Sequence, residues 1–424
     1  MSTLNRRRFL RTSAASVAAL SALTAAGAAD KPNEKIRLAV LGVHGRGRAL
    51  VHGFSSFADV DIAIICDPDE NTFAKALQSV NKRQKRQPKF VRDLRHVFED
   101  PAIHAVVIAT PDHWHALATI WACQAGKHVY VEKPISHNLI EGRRMVEAAR
   151  KYDRIVQVGT QRRSGAHFQS AAAFVRSGKL GKVPFVRTWI AGNRPSIGHK
   201  SDCPVPAGVD YDLWLGPAPQ RPFNPNRFHY NWHWHWDYGT SEIGNNGVHA
   251  LDVARMMLGL EAPQTITCGG GKLFYDDDRQ MPDTTVAVFD FPGTTLIWEH
   301  RIWSKTGVAG EPFGIMLYGE HGTLVFDRKG WHVEDGVAAS DQAAEIERPH
   351  LRNFLDCLRE HKRPNADIEE GHKSTRLCHL ANIADRVGRR LSFDAATETL
   401  RNDAAANELL GRTYRPPFVL PDKV

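Results

Sequence analysis

The sequence predicts an α/β protein of two domains, opening with a doubly wound parallel sheet and continuing into a region of different pattern. Three observations predict it. A compact strand, Lys35-Ile-Arg-Leu-Ala-Val-Leu-Gly42, runs directly into a glycine-rich turn and a helix. Short apolar runs then alternate with helical stretches to about residue 160, as strands joined by helical crossovers do. The 424 residues exceed one typical domain, and the alternation stops well before they end.

Residues 1–29 read as an address rather than as fold. Asn5-Arg6-Arg7-Arg8-Phe9-Leu10-Arg11 resembles the twin-arginine export motif, with Arg6 and Arg7 as the pair. A weakly apolar, alanine-rich stretch follows, and Ala26-Gly27-Ala28 offers small residues for cleavage. The expectation is a periplasmic protein, since the twin-arginine route carries folded, cofactor-loaded proteins. Residues 30–160 then form the first domain and 161–424 the second, whose last helices are free to pack back on the first.

Composition excludes several classes. With 42% hydrophobic and 24% charged residues the chain is of ordinary globular type, and past the leader it has no apolar run of bilayer length. The net charge of +8 includes four leader arginines. The densest later run, Lys82-Arg-Gln-Lys-Arg86, reads as the solvated end of a helix. With no aromatic-and-basic recognition module, nucleic acid is not an expected partner. The six cysteines are scattered without metal-type spacing, and no metal is expected.

The turn after the first strand, Gly42-Val-His44-Gly45-Arg46-Gly47, is nearly the dinucleotide fingerprint, with His44 at the second glycine position. Glycines there permit a tight turn and let a pyrophosphate approach the backbone at a helix N-terminus. A second strand, Val60 to Cys66, ends at Asp67, where a carboxylate bonds the adenosine ribose hydroxyls. Asp67 would repel a 2′-phosphate, so NAD is expected over NADP, a preference that Arg46 or Arg48 could soften. His104 to Ala109 reads as a further strand, Asp112 to Ala125 as a helix, and Val129 to Val131 as a strand ending in Glu132-Lys133-Pro134. Ligands collect at the carboxyl ends of such strands, which puts Lys133 at the mouth of the sheet. Ile155 to Thr160 is the last strand of the first domain, with Gln161 and Arg162 at its carboxyl end.

Beyond it, residues from about 191 to 244 form a long loop rich in Pro, Asn, Gly and aromatics, and loops of such length are usually functional. Within it lies Tyr230-Asn-Trp232-His-Trp234-His-Trp-Asp-Tyr238. On an extended chain Trp232, Trp234 and Trp236 share one face and His233 and His235 the other. Such a row suits stacking on sugar C–H faces, or plain core packing. Gly244 to Leu258 reads as a helix ended by Gly259, with Asn245, His249 and Asp252 on one face. A helix that turns a histidine and small polar groups to one side is a reasonable carrier of a general base. Strands are expected over Thr284–Phe291, Thr294–Trp303 and Ile315–Tyr318, and helices over His350–His361 and Glu369–Arg389.

These motifs, in this order, resemble the glucose-fructose oxidoreductase, inositol dehydrogenase and MocA-type family. The resemblance rests on the Gly42–Gly47 loop, Thr110-Pro111-Asp112-His-Trp-His115, Glu132-Lys133-Pro134 and Gly244-Asn-Asn-Gly-Val-His249-Ala-Leu-Asp252. Tyr318-Gly-Glu-His-Gly-Thr-Leu324 and the run from His350 to Gly371 match too. It implies a Rossmann domain followed by an α+β domain on a large open, mostly antiparallel sheet, whose outer face often makes dimer or tetramer contacts. It implies a cofactor site drawing on Thr110, Pro111, Asp112, His115, Glu132, Lys133 and Gln161 besides the fingerprint. Lys133 would hold the reacting hydroxyl and His249 exchange its proton, with Arg162, Tyr230, Trp232, Trp234, Asn245 and Asp252 toward the substrate. Many members carry an aspartate four residues before the histidine, where this chain has Asn245. An amide cannot carry the charge that favours imidazolium, so Asp252 or Glu242 would have to supply it. The expectation is an exported oxidoreductase holding a nicotinamide cofactor tightly and acting on a sugar, glycoside or polyol hydroxyl. Redox-assisted glycoside cleavage is the alternative, and a silent sugar-binding protein a third reading.

Overall fold

A computed structural model describes residues 35–82 and 84–424. The expected export signal, residues 1–29, lies outside the described residues. Six parallel strands form the first sheet: β1 (Ile36–Leu41), β2 (Val60–Cys66), β3 (Lys89–Val91), β4 (Ala105–Ile108), β5 (His128–Val131) and β6 (Val156–Val158). They lie in the order β3-β2-β1-β4-β5-β6. All of β4 and β6 and nearly all of β1 are buried, because helices cover both faces and leave no side for polar alternation. The strand order reverses between β1 and β4, and this is where such sheets open a crevice at their carboxyl ends.

One face of this sheet is packed by the helices Asp112–Gln124 and Leu139–Lys151. The other carries Arg46–Ser55 and, from the far end of the chain, Glu347–Glu360. Leu351, Phe354, Leu355 and Leu358 of that last helix join Leu50, Phe54 and Tyr130 in one core. Each such side chain contributes about 1.5–3 kcal/mol on burial, so this helix holds the second half of the chain firmly on the first.

The second sheet has ten strands: β7 (Phe185–Ala191), β8 (Thr265–Gly271), β9 (Thr284–Phe291), β10 (Thr294–Arg301), β11 (Phe313–Gly319), β12 (Gly322–Asp327), β13 (Gly330–Glu334), β14 (Ser340–Gln342), β15 (Leu391–Asp394) and β16 (Thr399–Leu400). Their order is β14-β13-β12-β11-β7-β10-β9-β8-β15-β16, and of these pairs only β7–β10 is parallel. Phe289, Leu296 and Trp298 on its inner face pack against the helices Ala166–Arg176, Val248–Leu258 and Ile368–Val387. This is the Rossmann domain with a large, mostly antiparallel open sheet that the resemblance implies.

Three local expectations are corrected. The aromatic segment is not extended, because His229–Trp234 winds into a 3-10 helix. Its tryptophans therefore share no face. Trp232 stacks on His233, Trp234 is buried beneath the guanidinium groups of Arg194 and Arg279, and Trp236 lies under Arg386. Burying large rings on separate sides while satisfying the backbone locally favours a compact turn over a flat ribbon. The second correction is at the start of the helix ended by Gly259, where Ile243–Gly247 forms a π-turn before Val248–Leu258. This wider turn rotates Asn245 off the face of His249 and Asp252. Finally, the helix Phe73–Ser79 ends before Lys82, so the basic run follows the helix instead of lying on it.

Candidate functional site

A cleft of about 380 Å³ opens at the carboxyl ends of β1 and β4, between the parallel sheet and the aromatic loop. Its floor is the glycine turn. Gly42 has φ +80, and a Cβ there would lie 2.7 Å from the Ala109 carbonyl oxygen, so only glycine fits. A Cβ on Gly47 would sit 1.7 Å from the Gly42 carbonyl oxygen. Gly47 thus seats the helix on the strand and does not itself line the cleft. At Gly45 a Cβ would meet nothing among the described residues, and none of their side chains caps the helix Arg46–Ser55 that begins after it. Its first N–H groups are left for an anion.

Asp67 stands at the end of β2, where its carboxylate accepts the Val43 N–H at 2.7 Å and the Asp69 N–H at 3.0 Å. Burial pushes its carboxyl up to about 7 against the pull of those two hydrogen bonds. Thr110 lines the opposite wall, with its hydroxyl oxygen buried and unpaired among the described residues. An uncapped helix start, a ribose-side carboxylate and an orphaned hydroxyl along one cleft fit a dinucleotide. Pro111 starts the next helix, and Asp112 in its first turn accepts the Thr240 hydroxyl at 2.7 Å. Burial raises Asp112 to about 7 as well. The His115 ring lies between the Pro134 carbonyl (2.7 Å from Nδ1) and the Thr110 carbonyl (2.9 Å from Nε2). Its role is to tie the two loops together.

At the mouth stands Lys133, next to a cis Lys133–Pro134 bond. Its Nζ donates to the Asn245 backbone carbonyl at 2.7 Å and to the Asn245 Oδ1 at 3.1 Å. An ammonium has three N–H donors, so one remains for a ligand. Burial lowers the Lys133 pKa, opposed by the charges of Glu132, Asp112 and Glu242. Glu132 accepts Arg46 Nε at 2.7 Å, and Arg46 also reaches Glu347 at 2.7 Å. Burial would push Glu132 up, but Arg46 and Lys133 outweigh it and hold the carboxylate below its usual value. A Cβ on Gly159 would lie 2.7 Å from that carboxyl group, so the glycine makes room for it.

Asn245 is therefore the partner of the lysine. Glu242, fully buried behind it, lies 3.4 Å from the Asn245 amide and accepts Asn246 Nδ2 at 2.6 Å and Arg194 at 3.1 Å. Asp252 does not face the substrate side. It is fully buried, accepting Arg163 Nε at 2.9 Å and the Ser374 hydroxyl at 2.6 Å. Neither carboxylate hydrogen-bonds His249. The His249 ring is held neutral, well below its usual pKa, by burial and then by the charges of Lys133 and Arg162. Its Nδ1 is buried and unpaired among the described residues. Arg162 stacks over Phe313 at 4.0 Å, and burial lowers it to about 10. Arg162, Trp234, His249 and Asp252 are not among the residues that line the cleft, whereas Gln161, Tyr230 and Trp232 are.

The loop adds contacts that the sequence did not announce. Asp210 N–H donates to Pro68 O at 2.8 Å, Glu70 N–H to Gly208 O at 3.0 Å, and Arg92 reaches both Glu70 and Asp210. His229 stacks on His44 at 4.0 Å and contacts Asp69 at 3.1 Å. Together they strap the loop across the Asp67 end of the cleft. Their residues lie far apart in the chain within aperiodic segments, so no spacing signal marks them.

Fold and site define a dinucleotide-binding oxidoreductase. The family profile described as oxidoreductase family, NAD-binding Rossmann fold, matches residues 36–160. The one described as oxidoreductase family, C-terminal alpha/beta domain, matches 194–292 and 330–420. The chain belongs to the glucose-fructose oxidoreductase, inositol dehydrogenase and MocA family of NAD(P)-dependent oxidoreductases. It is 23% identical over 328 residues to a myo-inositol 2-dehydrogenase of Thermotoga maritima, covering 77% of this chain and 84% of that one. Glycosyl hydrolase family 109 protein 2 of Shewanella sp. is 30% identical over 172 residues, covering 35% of this chain and 38% of that one. Among solved structures, levoglucosan dehydrogenase in complex with NADH and levoglucosan superposes with a TM-score of 0.66 at 15% identity, over 85% of this chain and 99% of that one. The WlbA dehydrogenase of Bordetella pertussis, in complex with NADH and UDP-GlcNAcA, gives 0.65 at 19% identity, over 85% and 99%. These structural likenesses establish the shared fold.

Proposed function

We propose that this chain oxidises a hydroxyl of a sugar, glycoside or related polyol, using NAD that it holds tightly, and that it does so after export. The observation that carries the reading is Lys133, with one N–H unspent at the junction of the dinucleotide cleft and the aromatic loop. The glycine turn, Asp67 and Thr110 would hold the dinucleotide, and the nicotinamide supplies the acceptor for a hydride. Lys133 would bind the hydroxyl oxygen and orient its C–H bond, and the proton would pass to a neutral imidazole. His249 is the imidazole that the family resemblance implies, and it lies within the field of Lys133. Asn245 holds the lysine in place, and the charge of Glu242 opposes the lowering of its pKa by burial.

Asp67 favours NAD over NADP, since Arg46 is engaged by two carboxylates and is not free to meet a 2′-phosphate. The strap over the Asp67 end favours slow cofactor exchange. The names of the inositol and levoglucosan dehydrogenases favour a polyol or sugar substrate. Exposed Leu273, Phe274 and Val286 beside the large sheet favour a homodimer or homotetramer. No described helix is long and apolar enough to cross a membrane. The likeness to a glycosyl hydrolase family 109 protein supports a second reading, redox-assisted glycoside cleavage with the hydride returned. Product analysis decides between them: a keto sugar with reduced cofactor supports oxidation, and a shorter sugar without net redox change supports cleavage. No change in any sugar, glycoside or polyol offered would refute both.

A further inference from the structure

His233 lines the cleft, and His235, two residues on, lines a second cavity of about 240 Å³. The two cavities share no lining residue. Pockets for drug-sized ligands run to roughly 300–1,000 Å³, so this one has room for a single small ring. Every residue that lines it is polar or charged. Part of that wall is satisfied within itself. Asn226 Nδ2 donates to the Gly198 carbonyl at 2.9 Å and to Asp278 Oδ2 at 2.8 Å. The Lys200 N–H donates to the same Asp278 oxygen at 2.8 Å, and the Lys200 carbonyl accepts Asn224 Nδ2 at 2.8 Å.

Other groups on the wall are unspent. His235, only 4% exposed, donates from Nε2 to the Asn226 carbonyl at 2.7 Å, so Nδ1 keeps its lone pair. Among the described residues Nδ1 has no hydrogen-bond partner, yet it is not sealed off, so it opens onto the cavity. Burial lowers the pKa of the ring and keeps that acceptor unprotonated. Gln280 accepts the Trp236 N–H at 2.9 Å through Oε1, which leaves its amide N–H groups. The Lys200 ammonium has no partner among the described residues. Arg221 donates Nε–H to one Asp237 oxygen, leaving its terminal N–H groups and the other carboxylate oxygen.

This mixture of donors and acceptors selects the ligand. An anion would meet the Asp237 oxygen and the His235 lone pair, and a cation would meet Lys200 and Arg221. No described group of histidine, cysteine and carboxylate side chains is placed to hold a metal. With no apolar side chain in the wall, an apolar ligand gains nothing there. Neighbouring hydroxyls, each a donor and an acceptor at once, satisfy the whole set. We propose that this cavity is a second binding site, for one ring of a sugar or cyclic polyol, separate from the cleft. The inference does not depend on the reaction assigned to the cleft.

The test titrates the NAD-loaded protein with glucose, methyl glucoside and myo-inositol while nitrogen NMR follows His235. Its Nδ1 should be unprotonated without ligand and should shift as a sugar is added, in wild type and in Lys133→Met alike. Lys200→Met keeps both backbone hydrogen bonds of that residue and removes only the ammonium. It should move the midpoint of the His235 shift roughly tenfold or more to higher sugar, as loss of a charge-assisted hydrogen bond does. A midpoint within about twofold of wild type in Lys200→Met, or a His235 signal that no sugar moves, would overturn the inference. A shift produced by inorganic phosphate and by none of the sugars would show an anion site and overturn it too. Cofactor reduction is followed in the same samples. Oxidation with a silent His235 signal removes this inference and leaves the oxidation reading standing. A shift without turnover keeps the inference and counts against oxidation of that sugar.

Discussion

Replacing Asp67 by Ala tests the cofactor end of the site most directly. The Asp67 carboxyl titrates near about 7 because burial outweighs its two backbone hydrogen bonds. Only the ionised form can accept from both ribose hydroxyls. One pH unit below that value about a tenth of the molecules carry the ionised form, and one unit above it about nine tenths do. Apparent affinity scales with the competent fraction, so NAD binding should strengthen roughly ninefold across that interval. The sign follows from the raised pKa, with affinity gained as pH rises through about 7 and lost below it. Asp67→Ala should remove that slope. It should also weaken NAD binding by about 1.5–3 kcal/mol, or roughly tenfold to over a hundredfold, and narrow the discrimination against NADP. Calorimetric titration of NAD and NADP across the pH range measures all three. The Val43 and Asp69 N–H groups lose their acceptor in the variant, so its melting curve is recorded alongside. A flat wild-type profile, or the same slope in Asp67→Ala, would refute the assignment.

Lys133→Met keeps the stem and removes the donors, and should cut single-turnover cofactor reduction by roughly 10²–10⁴-fold while bound dinucleotide persists. His249→Ala should slow turnover as well, and its double variant with Lys133→Met should lose far less than the product of the single losses. Asp252→Ala leaves Arg163 buried without its main partner, and should lower unfolding stability by about 3–5 kcal/mol in denaturant titration. Substrate KM in that variant should stay at the wild-type value, whereas a raised KM would restore Asp252 to the substrate site. Replacing Arg6 and Arg7 together by Lys should leave the precursor in the cytoplasm, and unchanged periplasmic yield on fractionation would remove the export proposal.

What the sequence determined by itself was everything carried by local periodicity and short-range spacing. The buried strands of the first sheet announce themselves as apolar runs, because a sheet covered on both faces leaves no room for alternation. The strand read over Thr284–Phe291 is β9 to the residue, since its side chains alternate as a half-buried strand requires. The glycine turn and Asp67 were legible because one strand–turn–helix and the next strand end place both.

Tertiary structure decided the rest, where partners come from distant segments. Asp252 and Asn245 share a helical spacing in the sequence, yet one pairs with Arg163 and the other with Lys133. A π-turn whose geometry no periodicity encodes separates them. The tryptophan row dissolved for a similar reason. Alternation predicts one face only if the backbone is extended, and here a 3-10 helix carries Trp232 onto His233 and Trp234 beneath Arg194 and Arg279, while Trp236 lies under Arg386. That same winding brings His233 into the lining of the cleft that Lys133, 100 residues earlier in the chain, also lines. Chemistry that depends on two side chains meeting around one hydroxyl is written in the packing that brings them together, and local sequence carries no record of it.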